Sequence, residues 1–377
     1  MSDICLMIPG PVEADDDVLA AIGQQTFPHY GPQWMQLFNE TIDLLKQLFE
    51  TGNEVIMLPG PGSAGLDAAV ASLVPRGQGV CVLDNGFFGF RLSQIVEKNG
   101  LKPYVVRAEW GQPVTADHLR QELTTLTRQA ARDGAPIRAL VLCHHETSTG
   151  VLNPLEEIAG VAREYGLPLI VDAVASFGGV PIPVDNWGID ICVSVRNKCL
   201  VVPPGMALMS VSQRAWEMAE ANPDQHGWYL DLRTWRWYID NWGDWHPYPT
   251  TLPTNNIVAL HAGLKKIVAT GHEAYYQTFQ DAADRTRQGL APFGFSLFPD
   301  PAYAAPIISA LTVPAGLDDA ALRSYLLQEH GLMISGGLAD LKGKLIRIGH
   351  MGGGRDLANV EKLIEAVHTY MTETSPA

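Results

Sequence analysis

Basic residues and cysteines are scarce in this chain of 377 residues, and long apolar runs are missing from it. It has 26 lysines and arginines against 41 acidic residues, and the net charge of −15 is not concentrated in one acidic block. This balance argues against a nucleic-acid-binding surface and favours solubility. No run reaches the ~18 consecutive apolar residues of a membrane helix, and no basic and then apolar segment resembles a signal peptide. We therefore expect a cytoplasmic protein without nucleic-acid or membrane partners.

The five cysteines fall in or beside apolar, strand-like runs. Their number is odd and none has the spacing of a metal site or a CxxC motif, so we interpret them as reduced core residues. His144, His145 and Glu146 form a tempting cluster, but adjacent strand residues point to opposite faces, and no metal-ligand pattern is present. We expect no metal site.

The chain does have a large apolar fraction, 46% hydrophobic residues, arranged in alternating strand and helix patterns. Such alternation predicts an α/β fold with a doubly wound, mostly parallel sheet covered on both faces. A tryptophan-rich segment at 228–245 interrupts the alternation, and aromatic clusters of this kind are typical of interfaces or cores. A smaller α/β pattern follows it. We predict an N-terminal arm at 1–20, a large domain at 21–253 and a small C-terminal α/β domain at 254–377.

Lys198 differs from the other lysines because it lies inside a strand-like apolar run, residues 189–205. Burial lowers the pKa of an amine, and a neutral amine attacks carbonyls to form a Schiff base. The alternative is a lysine that extends from a strand end into solvent. Asp172 ends the preceding apolar strand and would face the ligand crevice of a parallel sheet. Pyridoxal phosphate needs both a lysine for its aldehyde and an anion for its ring nitrogen, so this pair indicates that cofactor.

Four weaker signals accompany this pair. Gly62 and Ser63 lie in a glycine-rich turn that opens a helix, where backbone amides can bind phosphate. Phe88 could stack on a flat cofactor or simply pack in the core. Thr147 places a hydroxyl near a strand end. Arg347 lies on a short apolar strand, where its guanidinium would bind a substrate carboxylate or form an internal salt bridge.

The chain resembles the class V aminotransferases of fold type I, in particular the alanine/serine–glyoxylate branch. The resemblance covers nearly the whole length and is carried by HETSTG at 145–150, VDAVAS at 171–176, Asn197-Lys198 with PPG at 203–205, and RIGHMG at 347–352. It implies transfer of an amino group from alanine or serine to glyoxylate or pyruvate. Pyridoxamine–pyruvate and 2-aminoethylphosphonate–pyruvate aminotransferases remain open alternatives. A non-catalytic module and a cysteine desulfurase are disfavoured.

The resemblance implies a role for each residue around the cofactor ring. Lys198 would hold the cofactor aldehyde as a Schiff base and later move the substrate proton. Asp172 would pair with the ring nitrogen. Val174 would pack under the ring, Phe88 would stack above it, and Thr147 would approach the ring hydroxyl.

The resemblance also implies how the phosphate is bound. Gly62 and Ser63, with help from Asn197, would form the phosphate site of one subunit. Tyr248 and Thr251 of a second subunit would complete it, which makes the expected unit a homodimer with shared active sites.

Arg347 matches the arginine that grips the substrate carboxylate in this family. Two positions depart from the family pattern: Pro61 replaces a usual serine of the phosphate loop, and Arg196 replaces a usual small residue. Arg196 would add affinity for the phosphate or recognise a second acidic group on the substrate, and both interpretations stay open here.

Overall fold

The computed structural model describes residues 4–224 and 226–374. Its strands, in chain order, are β1 Cys5–Met7, β2 Glu54–Pro59, β3 Gly79–Asp84, β4 Lys102–Arg107, β5 Ile137–Cys143, β6 His145–Glu146, β7 Val151–Leu152, β8 Leu169–Asp172, β9 Ile191–Val195, β10 Met206–Val211, β11 Ser296–Leu297, β12 Ile308–Thr312, β13 Leu332–Gly336 and β14 Leu345–Gly349. Its helices are α1 Asp16–Ile22, α2 Pro32–Phe49, α3 Gly62–Leu73, α4 Phe87–Lys98, α5 Ala116–Arg132, α6 Leu155–Glu164, α7 Val184–Trp187, α8 Gln213–Ala221, α9 Leu232–Trp242, α10 Thr254–Thr270, α11 His272–Leu290, α12 Asp319–His330 and α13 Leu357–Thr374.

Seven strands form the large sheet, in the order β2-β10-β9-β8-β5-β3-β4. All pairs are parallel except those of β10, which runs antiparallel to both of its neighbours. Every residue of β3, β9 and β10 is buried, as expected for strands covered by helices on both faces. The predicted α/β fold with a mostly parallel sheet is confirmed.

Five strands form the second sheet, in the order β1-β13-β14-β12-β11. The strand β1 pairs in parallel with β13, so residues 5–7 belong to this sheet. Ile257, Leu260 and Leu264 of α10 pack in the large core, whereas Ala282 and Leu290 of α11 pack in the second one. The strand β1, from the predicted arm, pairs with the second sheet, and α10, from the predicted small domain, packs in the large core. The domain limits at 20 and 253 therefore stay predictions.

Three properties bear on the expected setting of the protein. Among residues 4–224 and 226–374, no helix is both long enough and apolar enough to span a membrane. Across the same residues, no three histidine, cysteine or acidic side chains converge as a metal site would require. All five cysteines are free thiols, and four of them are buried.

Candidate active site

A pocket with ≈ 430 Å³ of empty space lies at the carboxyl ends of the parallel strands. Parallel strands end at the same edge, so Cys143 at the end of β5 lies beside Asp172 at the end of β8. Seven predicted site residues line the pocket: Gly62, Ser63, Phe88, Thr147, Asp172, Val174 and Lys198. The fold thus brings seven of the predicted site residues into one pocket, although they are separated by up to 136 positions in the chain, from 62 to 198.

Lys198 follows strand β9, and its amine points into the pocket and donates a hydrogen bond to the Pro9 carbonyl. Burial lowers the pKa of this amine to about 8, and the positive charges of Arg347 and Arg91 act in the same direction. Gly10 provides the space for the side chain, since a Cβ at this position would lie 2.8 Å from Lys198 Nζ. An amine with this pKa is neutral in about a tenth of the molecules at pH 7, far more than an ordinary lysine, and the neutral form is the one that attacks carbonyls.

Asp172 is a buried carboxylate without a cationic partner in the described part of the chain. Its side chain is only 5% exposed, and its Oδ1 accepts a hydrogen bond from the Val174 amide at 3.0 Å. Burial raises the pKa of the carboxyl group, while the Val174 amide counteracts this effect. A buried carboxylate is stabilised by a cation, and the protonated ring nitrogen of pyridoxal phosphate would supply one.

The residues beside the expected ring position pack closely. A Cβ at Gly62 would lie 2.5 Å from Val174 Cγ2, so a glycine is needed for the start of α3 to approach Val174. No side chain caps the N-terminus of α3, which leaves its first amides available to a phosphate. On the other wall, the Arg91 guanidinium lies 4.4 Å from the centre of the Phe88 ring. These features fit a flat, phosphorylated cofactor.

Arg347 on β14 does not itself line the pocket, but it contacts the backbone of Thr147, which does. Its Nε donates to the Gly336 carbonyl at 2.9 Å and its Nη1 donates to the Thr147 carbonyl at 3.2 Å. Within the described residues no carboxylate lies within 4.0 Å of this guanidinium, so the alternative of an internal salt bridge is not realised. Burial lowers the pKa of Arg347 to about 10, and the Glu146 carboxylate counteracts this effect. Nη2 donates no hydrogen bond among the described residues, so it and the second hydrogen of Nη1 remain available for a ligand carboxylate.

Three predicted cofactor residues do not line the pocket of a single chain. Asn197 is only partly buried, and Thr251 is exposed. Tyr248 is 1% exposed, and its hydroxyl accepts a hydrogen bond from Trp34 Nε1 at 2.6 Å and donates one to the His29 carbonyl. Their roles at the phosphate stay predictions.

Arg196 is buried away from the pocket. Its Nη2 donates to the Pro204 carbonyl at 2.8 Å and its Nη1 donates to the Asn256 carbonyl, which ties the turn after the lysine to the first turn of α10. Burial lowers the pKa of this guanidinium to about 10. No atom of Arg196 lines the pocket, so recognition of a second acidic group there has no geometric support.

Sequence reasoning missed five lining residues: Leu66, Arg91, Cys143, His145 and Ala175. Arg91 had a usable signal, because it lies three positions after Phe88 on one helix and therefore on the same face. His145 belongs to the HETSTG motif, but the sequence suggested no role for its side chain apart from the rejected metal site. It is 1% exposed, burial lowers its pKa to about 3, and it is therefore a neutral part of the wall.

The doubly wound sheet, with a desolvated lysine and a buried aspartate at its carboxyl edge, defines the class of protein: a fold type I enzyme that depends on pyridoxal phosphate. The family model described as "Aminotransferase class-V" matches residues 19–344. The chain belongs to this family and is an aminotransferase, as its sequence motifs predicted.

Individual relatives match over almost the entire chain. An uncharacterized aminotransferase of Methanocaldococcus jannaschii is 33% identical over 347 residues, 92% of this chain and 87% of that protein. The crystal structure of an alanine–glyoxylate aminotransferase from Nostoc sp. superposes with a TM-score of 0.91 at 32% identity and covers 98% of this chain and 95% of that one. A pyridoxamine–pyruvate aminotransferase from Mesorhizobium loti gives a TM-score of 0.88 at 27% identity, with 100% and 94% covered.

Proposed function

We propose that this enzyme transfers the amino group of alanine or serine to glyoxylate or pyruvate. The observation that carries the proposal is the position of Arg347, a buried guanidinium without an acidic partner among the described residues, beside the pocket that contains Lys198. A guanidinium fork binds a carboxylate in two parallel hydrogen bonds. Amino acids and 2-oxo acids both carry such a carboxylate next to the reacting carbon.

Each residue of the proposed site would have a separate role in the reaction. Pyridoxal phosphate, when bound, supplies a ring that accepts the electron pair released at the substrate Cα. Lys198, with its lowered pKa, would take the Cα proton and return a proton in the second half of the transfer. Asp172 would keep the ring nitrogen protonated by its negative charge. Arg347 would orient the substrate by its carboxylate.

The second candidate is pyridoxamine–pyruvate transfer, which the similarity to the Mesorhizobium loti enzyme favours. That reaction uses free pyridoxamine as the amino donor and therefore needs no phosphate site. The uncapped N-terminus of α3, with Gly62 and Ser63 at the pocket, supports the phosphorylated cofactor instead. The 2-aminoethylphosphonate alternative was suggested by the Asn197-Lys198-Cys199 run and by Arg196, and Arg196 does not line the pocket.

The substrate assignment is tested by mixing the purified, cofactor-loaded enzyme separately with alanine, serine, pyridoxamine and 2-aminoethylphosphonate. We expect alanine or serine to convert the cofactor absorbance to that of its amino form, and glyoxylate or pyruvate to reverse the change. Conversion by pyridoxamine alone would establish the second candidate. Conversion by aminoethylphosphonate alone would refute both.

A homodimer with shared active sites is part of the proposal. The segment that carries Tyr248 and Thr251 adjoins three exposed tryptophans, Trp228, Trp237 and Trp245, which are 57%, 50% and 49% exposed. Exposed aromatic side chains concentrated in one segment are typical of subunit interfaces. A cytoplasmic location is also proposed, supported by the free thiols of all five cysteines.

Mixed dimers test whether the site is shared. An inactive Lys198→Ala protein and an inactive Tyr248→Phe/Thr251→Ala protein should regain part of the activity when mixed, because one of the two sites in a mixed dimer is intact. Subunit exchange must be shown independently, for example with tagged chains. Exchange without any recovery would contradict the shared site.

A further inference from the structure

Glu146 is a fully buried carboxylate that the proposed reaction does not use. It lies on β6, next to Thr147, and its exposure is 0%. Burial raises the pKa of its carboxyl group, and hydrogen bonds from Ser148 and from backbone amides oppose that change. A buried charge of this kind is costly unless its partners are well placed.

The partners of Glu146 are four donors on two separate elements. Oε2 accepts the amides of Phe88 at 2.9 Å and Gly89 at 3.0 Å, both in the first turn of α4. Oε1 accepts the amide of Ser148 at 3.0 Å and its hydroxyl at 2.5 Å. Hydrogen bonds from these four donors favour the ionised form of the carboxyl group, although its burial opposes ionisation. Its negative charge also suits the N-terminus of α4.

This arrangement locks two walls of the pocket together. Phe88 lies on one element and Thr147 on the other, and both line the pocket. Gly86 allows the close contact between them, because a Cβ there would lie 2.4 Å from Glu146 Cδ. The Thr147 carbonyl in turn accepts the hydrogen bond from Arg347. A single side chain thus fixes the backbone of residues from two parts of the chain that are 58 positions apart.

We propose that Glu146 is a positioning residue of the cofactor site, which holds the Phe88 ring and Thr147 at the spacing that the cofactor ring requires. The inference deepens the proposed function and rests on the placement of the ring beside Phe88. Glu146 does not touch the reacting atoms in this account. It acts through the two residues that it fixes.

Glu146→Gln tests the inference because the amide has nearly the same shape but only one accepting oxygen. Its NH₂ group would face either the Phe88 and Gly89 amides or the amide and hydroxyl of Ser148, and the hydrogen bonds from the backbone amides on that side would be lost. We expect the apoprotein to bind pyridoxal phosphate about tenfold more weakly, a change of about 1.4 kcal/mol. The circular dichroism of the bound cofactor should also decrease, because the ring would be less well oriented.

Asp190→Asn provides the matched control. Asp190 is another buried carboxylate, 5% exposed, that accepts the Leu169 amide and the Ser212 hydroxyl at 2.9 Å, but it precedes β9 and lies outside the pocket. We expect this variant to lose stability while its cofactor affinity stays within about twofold of wild type. If Glu146→Gln behaves like Asp190→Asn, the inference is wrong.

Two further variants separate the possible failures. Phe88→Ala should weaken cofactor binding by itself, and unchanged binding would overturn both the ring placement in the proposed site and this inference. Weakened binding in Phe88→Ala with no change in Glu146→Gln would overturn the inference alone. If Glu146→Gln does not fold, Ser148→Ala decides, since it removes one donor but keeps the charge. We then expect about threefold weaker cofactor binding, and no weakening would refute the positioning role.

Discussion

Positively charged side chains have different partners in the region of the pocket and on the outer surface. Lys266 on α10 is half exposed, and its amine pairs with Asp15 and lies 3.7 Å from Asp17. The hydrogen bond to Asp15 raises the pKa of Lys266. Lys198 has a carbonyl partner instead of a carboxylate, and burial lowers its pKa to about 8.

Two arginines show the same contrast. Arg285 on the surface makes a two-pronged ion pair with Glu361, whose Oε2 lies 2.6 Å from Nη2. Arg347 makes hydrogen bonds only to carbonyl groups within the described chain. Acidic side chains of the protein pair with these two surface cations, whereas Lys198, Arg347 and Asp172 form no ion pair among the described residues. The proposed function accounts for this difference, since the cofactor ring and the substrate carboxylate would supply the counterions of Asp172 and Arg347.

Removing the negative charge of Asp172 should have the largest effect on turnover. Asp172→Asn keeps the shape of the side chain but removes the charge that would hold the ring nitrogen protonated. We expect turnover to fall at least a hundredfold, a barrier increase of about 2.7 kcal/mol or more, with little change in the folded structure. Steady-state kinetics and circular dichroism measure the two quantities. Activity within about threefold of wild type would show that the charge is not needed.

Removing the unpaired guanidinium should have the next largest effect. Arg347→Ala should weaken the binding of the transition state by roughly 2–5 kcal/mol in the reactions of both the amino donor and the oxo acid, since both substrates carry the carboxylate. Arg347→Lys should restore little, because an ammonium cannot form the two-pronged contact. Kinetic constants for both substrates check this expectation. A defect confined to one substrate would argue against a shared carboxylate site.

A smaller effect is expected on stability as a function of pH. The folded protein holds Lys198 with a pKa of about 8, below the 10.5 of a free lysine, so the unfolded chain binds more protons between these values. The Lys198 contribution therefore destabilises the apoprotein below pH 8 and disappears as the pH rises towards 10.5.

Lys198→Met should accordingly be more stable than wild type at pH 7, and the difference should shrink as the pH rises. Denaturant unfolding of both apoproteins across this range measures it. Because the other titrating groups are common to both proteins, a difference that does not depend on pH would contradict the lowered pKa.

The smallest effect is expected at the paired surface lysine. Lys266→Ala breaks exposed ion pairs, which contribute about 0–1 kcal/mol to the free energy of unfolding and less in high salt. Kinetic constants should not change. An effect on catalysis as large as that of Arg347→Ala would remove the contrast between pocket and surface.

The sequence predicted much of the fold because burial on both faces makes parallel strands into recognisable apolar runs. The strand that ends at Asp172 and the one before Lys198 were found in this way, and their shared edge follows from parallel pairing. The sequence did not predict that β1 joins the second sheet. A strand of three residues is too short for a recognisable hydrophobic pattern, and its pairing partner is 327 positions away.

The candidate site was predictable where a residue type is out of place locally, as a lysine in an apolar run is. Residues whose roles depend on distant neighbours were missed. In the sequence Glu146 stood out only as part of a rejected metal cluster and of the HETSTG motif, and only the fold brings α4 to its carboxylate. Arg196 looked like a ligand-binding cation, yet two distant carbonyl groups enclose it.

The central claim is that Lys198 carries the cofactor, and chemical trapping tests it most directly. Borohydride treatment of the protein loaded with pyridoxal phosphate fixes the cofactor to the lysine that holds it, and peptide mapping identifies that residue. We predict one adduct per chain, on Lys198, and none in a Lys198→Ala protein treated in the same way. An adduct on another lysine of the wild-type protein would contradict the account.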